Sequence, residues 1–295
     1  MRPLPSDPLP GPDLVAAVTA ELAGPVETWV PLRGGRTNRV WRMAGAAGDL
    51  VLKLYLPGAE TPLFPNDPEA EFRILSRLAP AGLAPSPVAR LKGAFGHALI
   101  YRFLEGPTWD RDLVAMARLL HRVHGMAPPQ GLGPLPSGSA ELRAQARGIL
   151  SRCRGAADPA LARLETRVAA RPAVPPCAAP RLIHRDPVAG NVIDTARGPV
   201  LIDWQCPALG DPCEDLAIVL SPFMQRAYLG HLLTEDEAAT FLAAYPDAET
   251  VARYRRLAPF FHWRMAAYAL WCEENGRDAG PTDRAREISA AARLA

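Results

Sequence analysis

Long apolar runs, an excess of one charge and paired cysteines are all missing from this chain of 295 residues. No stretch approaches the roughly 18 consecutive apolar residues that mark a membrane span. The proline-rich start, Met1 to Asp13, has no apolar run of the kind a signal peptide needs. A soluble, cytoplasmic protein with no membrane partner is therefore expected. Lysine and arginine total 33 against 31 acidic residues, a formal charge of +2. That balance excludes the electrostatic footprint of a nucleic-acid binder, so any charged ligand must be met locally. Five cysteines (Cys153, Cys177, Cys206, Cys213 and Cys272) are odd in number and contain no CxxC pair, so neither a disulfide framework nor a zinc site has its usual spacing. Lysine is scarce, with only Lys53 and Lys92 among 33 basic residues. An ammonium kept where guanidinium is the rule hints that a compact cation is wanted, since the two are not interchangeable. Chance retention explains it as well.

What is present is an ordinary globular composition, 48% hydrophobic and 22% charged, on a chain long enough for one large domain or two lobes. Short β-rich runs (27–33, 38–43, 49–55, 86–91 and 98–104) dominate the first third, with helices expected at 14–23 and from the cap Asp67-Pro68 to Leu78. After Gly106 the pattern becomes helical, beginning with 110–124, whose Leu113, Ala117, Leu120 and His124 keep the three-to-four spacing. The expectation is an α+β, bilobal protein: residues 1–105 a nucleotide-binding lobe built on a five-stranded antiparallel sheet, and residues 106–295 a mostly helical catalytic and acceptor-binding lobe.

Three short apolar pieces interrupt the helical part and carry its polar residues: Leu182-Ile-His-Arg-Asp-Pro-Val-Ala-Gly-Asn191, Val200-Leu-Ile-Asp-Trp-Gln205 and Leu209-Gly-Asp-Pro-Cys-Glu-Asp-Leu-Ala217. The first has the H-x-D-x-x-x-x-N spacing of a kinase catalytic loop. A loop leaving a short strand can aim Asp186 at a hydroxyl while Asn191 presents an amide oxygen to Mg²⁺, and Asp203 supplies the carboxylate a hard cation demands. Upstream, Gly34 and Gly35 between two strands let backbone amides approach phosphates, with Thr37 and Asn38 as added donors, although an unliganded hairpin also explains paired glycines. Lys53 lies in an apolar strand, where an ammonium needs partners. Glu69 and Glu71 fall on opposite sides of the next helix; Leu75, four residues on, places Glu71 on the inward face.

With these residues the sequence resembles the aminoglycoside phosphotransferase and choline kinase-like family, relatives of protein kinases that phosphorylate small molecules, over nearly all of residues 25 to 275. Ile202-Asp203-Trp204 stands where protein kinases have DFG, and Gly210-Asp-Pro-x-x-Asp-Leu-Ala217 follows with no room for an activation loop. The resemblance implies an ATP- and Mg²⁺-dependent transfer of phosphate to a hydroxyl of a small molecule, whether aminoglycoside, choline, thiamine or aminosugar-like. It implies Asp186 as the base, Asn191 and Asp203 as magnesium ligands, Lys53 with Glu71 as the phosphate-positioning pair, and Arg102 and Leu104 as hinge contacts to adenine. Tyr101 is implied at the back of the adenine pocket, and Asp215 as a brace of the catalytic loop.

The family usually has glycine and leucine around the catalytic aspartate, where this chain has Arg185 and Pro187, and Val188 replaces a basic or histidine residue often found there. Pro187 and Val188 are what a nucleotide-binding pseudokinase acting on a partner would carry; a protein kinase is the other alternative. The acceptor itself is not encoded in a transferable pattern. Trp263, Trp271 and Glu274 form a stripe near the C-terminus that is either helical core or an acceptor wall, and the second reading favours a cationic alcohol.

Overall fold

The computed structural model describes residues 9–32, 37–45 and 48–294. The chain divides into two compact units, Met1–Pro107 with Ile193–Cys206, and Thr108–Val192 with Pro207–Ala295. In the first unit, β1 (Thr28–Pro31), β2 (Arg39–Ala44), β3 (Leu50–Leu54), β4 (Pro87–Gly93) and β5 (Gly96–Arg102) form one five-stranded sheet in the order β1-β2-β3-β5-β4. Every neighbour is antiparallel. Trp41, Met43, Leu50, Leu52, Ala98 and Ile100 bury one face against Leu14 and Val18 of α1 (Pro12–Glu21). Residues two apart share a face of a strand, which is why Leu50 and Leu52 go to this core while Lys53 points the other way. Helix α2 (Pro68–Leu78) starts at Asp67, whose carboxylate accepts from the Glu69 and Ala70 amides, and proline takes its first position.

Residues 193–206 bring a polar segment to this sheet unit from far along the sequence. Strands β7 (Val192–Thr195) and β8 (Gly198–Leu201) pair as a ribbon. Gly106 is indispensable beside it: its φ is +147°, and a Cβ there would stand 2.1 Å from the Asp194 carbonyl oxygen.

The second unit is helical: α3 (Leu113–His124), α4 (Ser139–Leu150), α5 (Pro159–Ala169), α6 (Cys213–Val219), α7 (Pro222–Tyr228), α8 (Glu235–Ala244), α9 (Ala248–Glu274) and α10 (Pro281–Leu294). The long α9 is its axis, with α4, α5, α6 and α10 packed on it. Thr234 and Glu237 cap α8 reciprocally, as their spacing in the sequence predicts. A two-stranded pair, β6 (Arg181–Ile183) with β9 (Ala208–Gly210), frames the Asp186 loop. The second of these strands is absent from the sequence reading because three residues are too few to show a period. No helix among the described residues is long and apolar enough to cross a membrane.

Candidate active site

Lys53, on β3, is 2% exposed and meets two carboxylates. Its Nζ lies 2.6 Å from Glu71 Oε2 on α2 and is also paired with Asp203 Oδ1, on the segment after β8. Burial works against the ammonium, yet the Asp203 and Glu71 carboxylates outweigh it and hold the Lys53 pKa above its ordinary value. Glu71, 1% exposed, is fully engaged. Oε2 takes the lysine and the Tyr55 hydroxyl, and Oε1 accepts the Trp204 N–H at 3.1 Å. Burial and the Glu71 charge push the Tyr55 hydroxyl upward, so it stays protonated and donates. Glu69, by contrast, pairs with Arg90 at the surface.

Asp203 has a left-handed backbone, φ +63°, a conformation aspartate tolerates better than most residues. Its side chain keeps 31% of its surface open while one oxygen is held by lysine. Asn38, offered by the sequence as a phosphate donor, is buried with both amide hydrogens on protein acceptors, Asn66 Oδ1 at 2.9 Å and Gln205 Oε1 at 2.6 Å. Its oxygen accepts from the Leu56 N–H. It ties β2 to the segment after Asp203. Thr37 accepts a longer contact from Gln205, at 3.4 Å. Gly34 and Gly35 lie outside the described residues. At the end of β5, the Arg102 and Phe103 amides donate to Ser86 and Asp49. Among the described residues, no acceptor is paired with the Leu104 amide. Tyr101 is buried in the same strand, and burial first of all raises its hydroxyl pKa.

In the helical unit, Asp186 and Asn191 occupy one tight loop. Asn191 Nδ2 donates to the Asp186 carbonyl at 2.9 Å and to Asp186 Oδ2 at 3.2 Å. Asp215 braces this loop: Oδ2 accepts the His184 N–H at 2.9 Å, Oδ1 the Arg185 N–H at 2.7 Å, and His124 Nε2 sits 3.0 Å from Oδ2. Burial opposes the charge of Asp215, but the His124 contact and the other donors outweigh it and lower its pKa. Tyr245 holds the far side of His124 at 2.7 Å. Arg185, between the two, has φ +71°, in the left-handed region that glycine enters without steric cost.

The three residues of the C-terminal stripe have other surroundings. Trp263 is 0% exposed in the core of the helical unit. Trp271 stacks on Tyr268 with centroids 6.0 Å apart and lies under Arg277. Glu274 accepts the Arg154 and Gly155 amides at 2.8 and 2.6 Å. A repeat of aromatics on one helix face reports burial and says nothing about what is buried against it.

Tyr55, Trp204 and Gln205 are the supports the sequence reading leaves out. Tyr55 had a signal, since it follows Lys53 by two and shares its face of the strand.

Residues 28–260 match the model of the Phosphotransferase enzyme family. The chain belongs to that family, and its enzymes are small-molecule kinases of the aminoglycoside phosphotransferase and choline kinase-like kind. Thiamine kinase of Escherichia coli O1:K1 is 28% identical over 235 residues, covering 73% of this chain and 75% of the relative, and the Shigella boydii thiamine kinase matches equally. Among solved structures, the choline kinase LicA of Streptococcus pneumoniae aligns with a TM-score of 0.63 at 20% identity, over 95% of this chain and 98% of the other. A spectinomycin phosphotransferase solved with ADP and spectinomycin aligns with a TM-score of 0.62 at 14% identity, over 98% and 99%. These structures show a protein-kinase-like fold.

Proposed function

We propose that this protein transfers the γ-phosphate of ATP to a hydroxyl of a small molecule. The observation that carries the reading is the buried contact of Lys53 with Glu71 and Asp203, groups 18 and 150 residues away in the sequence. A buried ammonium held by two carboxylates, one partly open, is a preorganised cation for a nucleotide phosphate. The open amide of Leu104 supports a hinge contact to the base, and the curated relatives act on thiamine, an alcohol.

In this reading Asp186 accepts the hydroxyl proton as the acceptor oxygen bonds to the γ-phosphorus, and the bond from that phosphorus to the β-bridging oxygen breaks to leave ADP. Asn191 and Asp203 would hold Mg²⁺. Their chemistry fits: the Asn191 nitrogen is turned to Asp186, which leaves its oxygen to a cation, and Asp203 retains a carboxylate oxygen beyond the one on Lys53. The metal would supply charge neutralisation on the phosphates. Asp215 fixes the backbone that aims Asp186, so it positions and does not react. A coupled ADP-release assay over hydroxyl-bearing metabolites tests the reading. Asp186→Asn is expected to fold and bind nucleotide yet lose roughly 10² to 10⁴-fold in kcat. Parental turnover in that variant would remove Asp186 as the base. Asp203→Ala is expected to lose magnesium-dependent nucleotide binding by calorimetry.

A further inference from the structure

The second of the two lysines has no part in the site above. Lys92, on β4, lines a cavity wholly inside the sheet unit, together with Pro68, Glu69 and Phe72 of α2, Arg90 of β4 and His97 of β5. Its volume is about 400 Å³, in the range of pockets that bury a small ligand. Arg90 and Lys92 are two residues apart on one strand, and Lys92 is the register partner of His97, so all three stand on the same face of the sheet. That is also the face of Lys53, which pairs with Leu99 as Leu99 pairs with Arg90. Two inter-strand spacings set the cavity about 10 Å from Lys53. Glu69, which the helix turns away from Glu71, is in its wall, so the cavity is separate from the Lys53 contact.

The charges that line it are unequally satisfied. The Arg90 guanidinium is fixed, 4.8 Å from the centroid of the Phe72 ring and paired with Glu69. Glu69 is the one carboxylate among the described residues that line the cavity, and it is used in that pair. Lys92 and His97 have neither a hydrogen bond nor an ion pair from their side chains among the described residues. We propose that this cavity is a second ligand site, and that it takes a phosphate monoester carried on a flat apolar ring. The phosphate oxygens accept from Lys92, from His97 and from the Arg90 N–H groups that Glu69 leaves over. The ring rests on Pro68 and Phe72. A cationic ligand would meet the excess positive charge of Arg90 and Lys92 over Glu69, and an uncharged ring would leave Lys92 and His97 unanswered. Because its walls belong to α2 and β4, a ligand there binds only their folded packing and stabilises it. Without a ligand, Lys92 keeps the plainer role of a charge on an edge strand that discourages pairing with another sheet.

The test titrates phenyl phosphate into the full chain saturated with ADP and Mg²⁺, read by calorimetry and by the unfolding temperature, with phenol, inorganic phosphate and phenyltrimethylammonium in parallel. Phenyl phosphate is expected to bind about tenfold more tightly than any of the three and to raise the unfolding temperature. Lys92→Ala, at an exposed position, is expected to fold and to weaken that binding about tenfold, and Lys92→Arg to restore most of it. Binding that ignores Lys92→Ala overturns the proposal, as does equal or tighter binding of phenol, inorganic phosphate or the ammonium. ADP release by Lys92→Ala is expected at the parental rate; its loss would put Lys92 in the reaction and overturn a separate site. No binding beside parental ADP release overturns the second site and leaves the transfer reading standing. Lys92-dependent binding in a chain that releases no ADP with any alcohol upholds the second site while the transfer reading falls.

Discussion

The carboxylate of Asp203, on a left-handed backbone, meets the ammonium of Lys53, which lies 150 residues earlier in the chain. Conformation and charge are both required of that one residue, and substitutions separate them. Asp203→Asn keeps a side chain that accepts positive φ, whereas Asp203→Ala does not and should be less stable than Asp203→Asn by about 1 kcal/mol. Urea denaturation of the two proteins measures the difference. Equal stability would mean that the backbone relaxes out of the left-handed region.

Lys53→Met leaves the buried Glu71 carboxylate facing Asp203 with no cation, and should cost about 3 to 5 kcal/mol. Adding Glu71→Gln removes the stranded charge and should recover part of that loss. Lys53→Arg keeps the charge but places a planar fork where a compact ammonium bridges two carboxylates, so ADP release is expected to fall sharply. A double-mutant cycle by denaturation, with ADP release for the arginine variant, checks both statements.

Asp215 sets an acid limit. Its folded pKa lies below the ordinary aspartate value of 3.8. The unfolded chain therefore takes up this proton first as pH falls, and the contribution of Asp215 is fully present above about pH 4 and is lost as pH drops through the folded value. Lys53 has the opposite sign: its folded pKa is raised, so its contribution persists below the ordinary lysine value and fades only above it. Stability measured from pH 5 to pH 3 should fall less steeply in Asp215→Asn than in the parent. An identical slope would assign the acid sensitivity to other carboxylates.

Arg185 is held at φ +71° in the loop that carries Asp186. Arg185→Gly should fold with stability within about 1 kcal/mol of the parent, because the relief of strain offsets the greater freedom of glycine when unfolded. Arg185→Val, branched at Cβ, should lose at least about 1 to 2 kcal/mol. Thermal unfolding of the pair decides it.

The pairing of Lys53 with Glu71 was readable because local rules and chemistry agreed. Glu71 could be preferred to Glu69 since Leu75, one turn on, had to pack inward, and Leu75 is indeed fully buried. The five antiparallel strands followed from glycine-punctuated, β-rich runs. The inward turn of Asn38 could not be read in the same way. Its direction is set by Asn66 and Gln205, 28 and 167 residues away, and no local period reports such partners. The same holds for Glu274, whose partners are backbone amides of a distant loop.

Residues 193–206 belong to the sheet unit although 85 residues of the helical unit, Thr108–Val192, come before them. That ordering has a consequence for biosynthesis. On a ribosome adding about 5 to 20 residues per second, roughly 5 to 20 s pass between the emergence of Pro107 and that of Cys206. Through that interval Lys53 has Glu71 but no Asp203, and Glu71 lacks the Trp204 amide. The N-terminal sheet is made first yet cannot finish first. A chain truncated at Pro107 would be held in that unfinished condition permanently, so the sheet unit is not separable by a single cut.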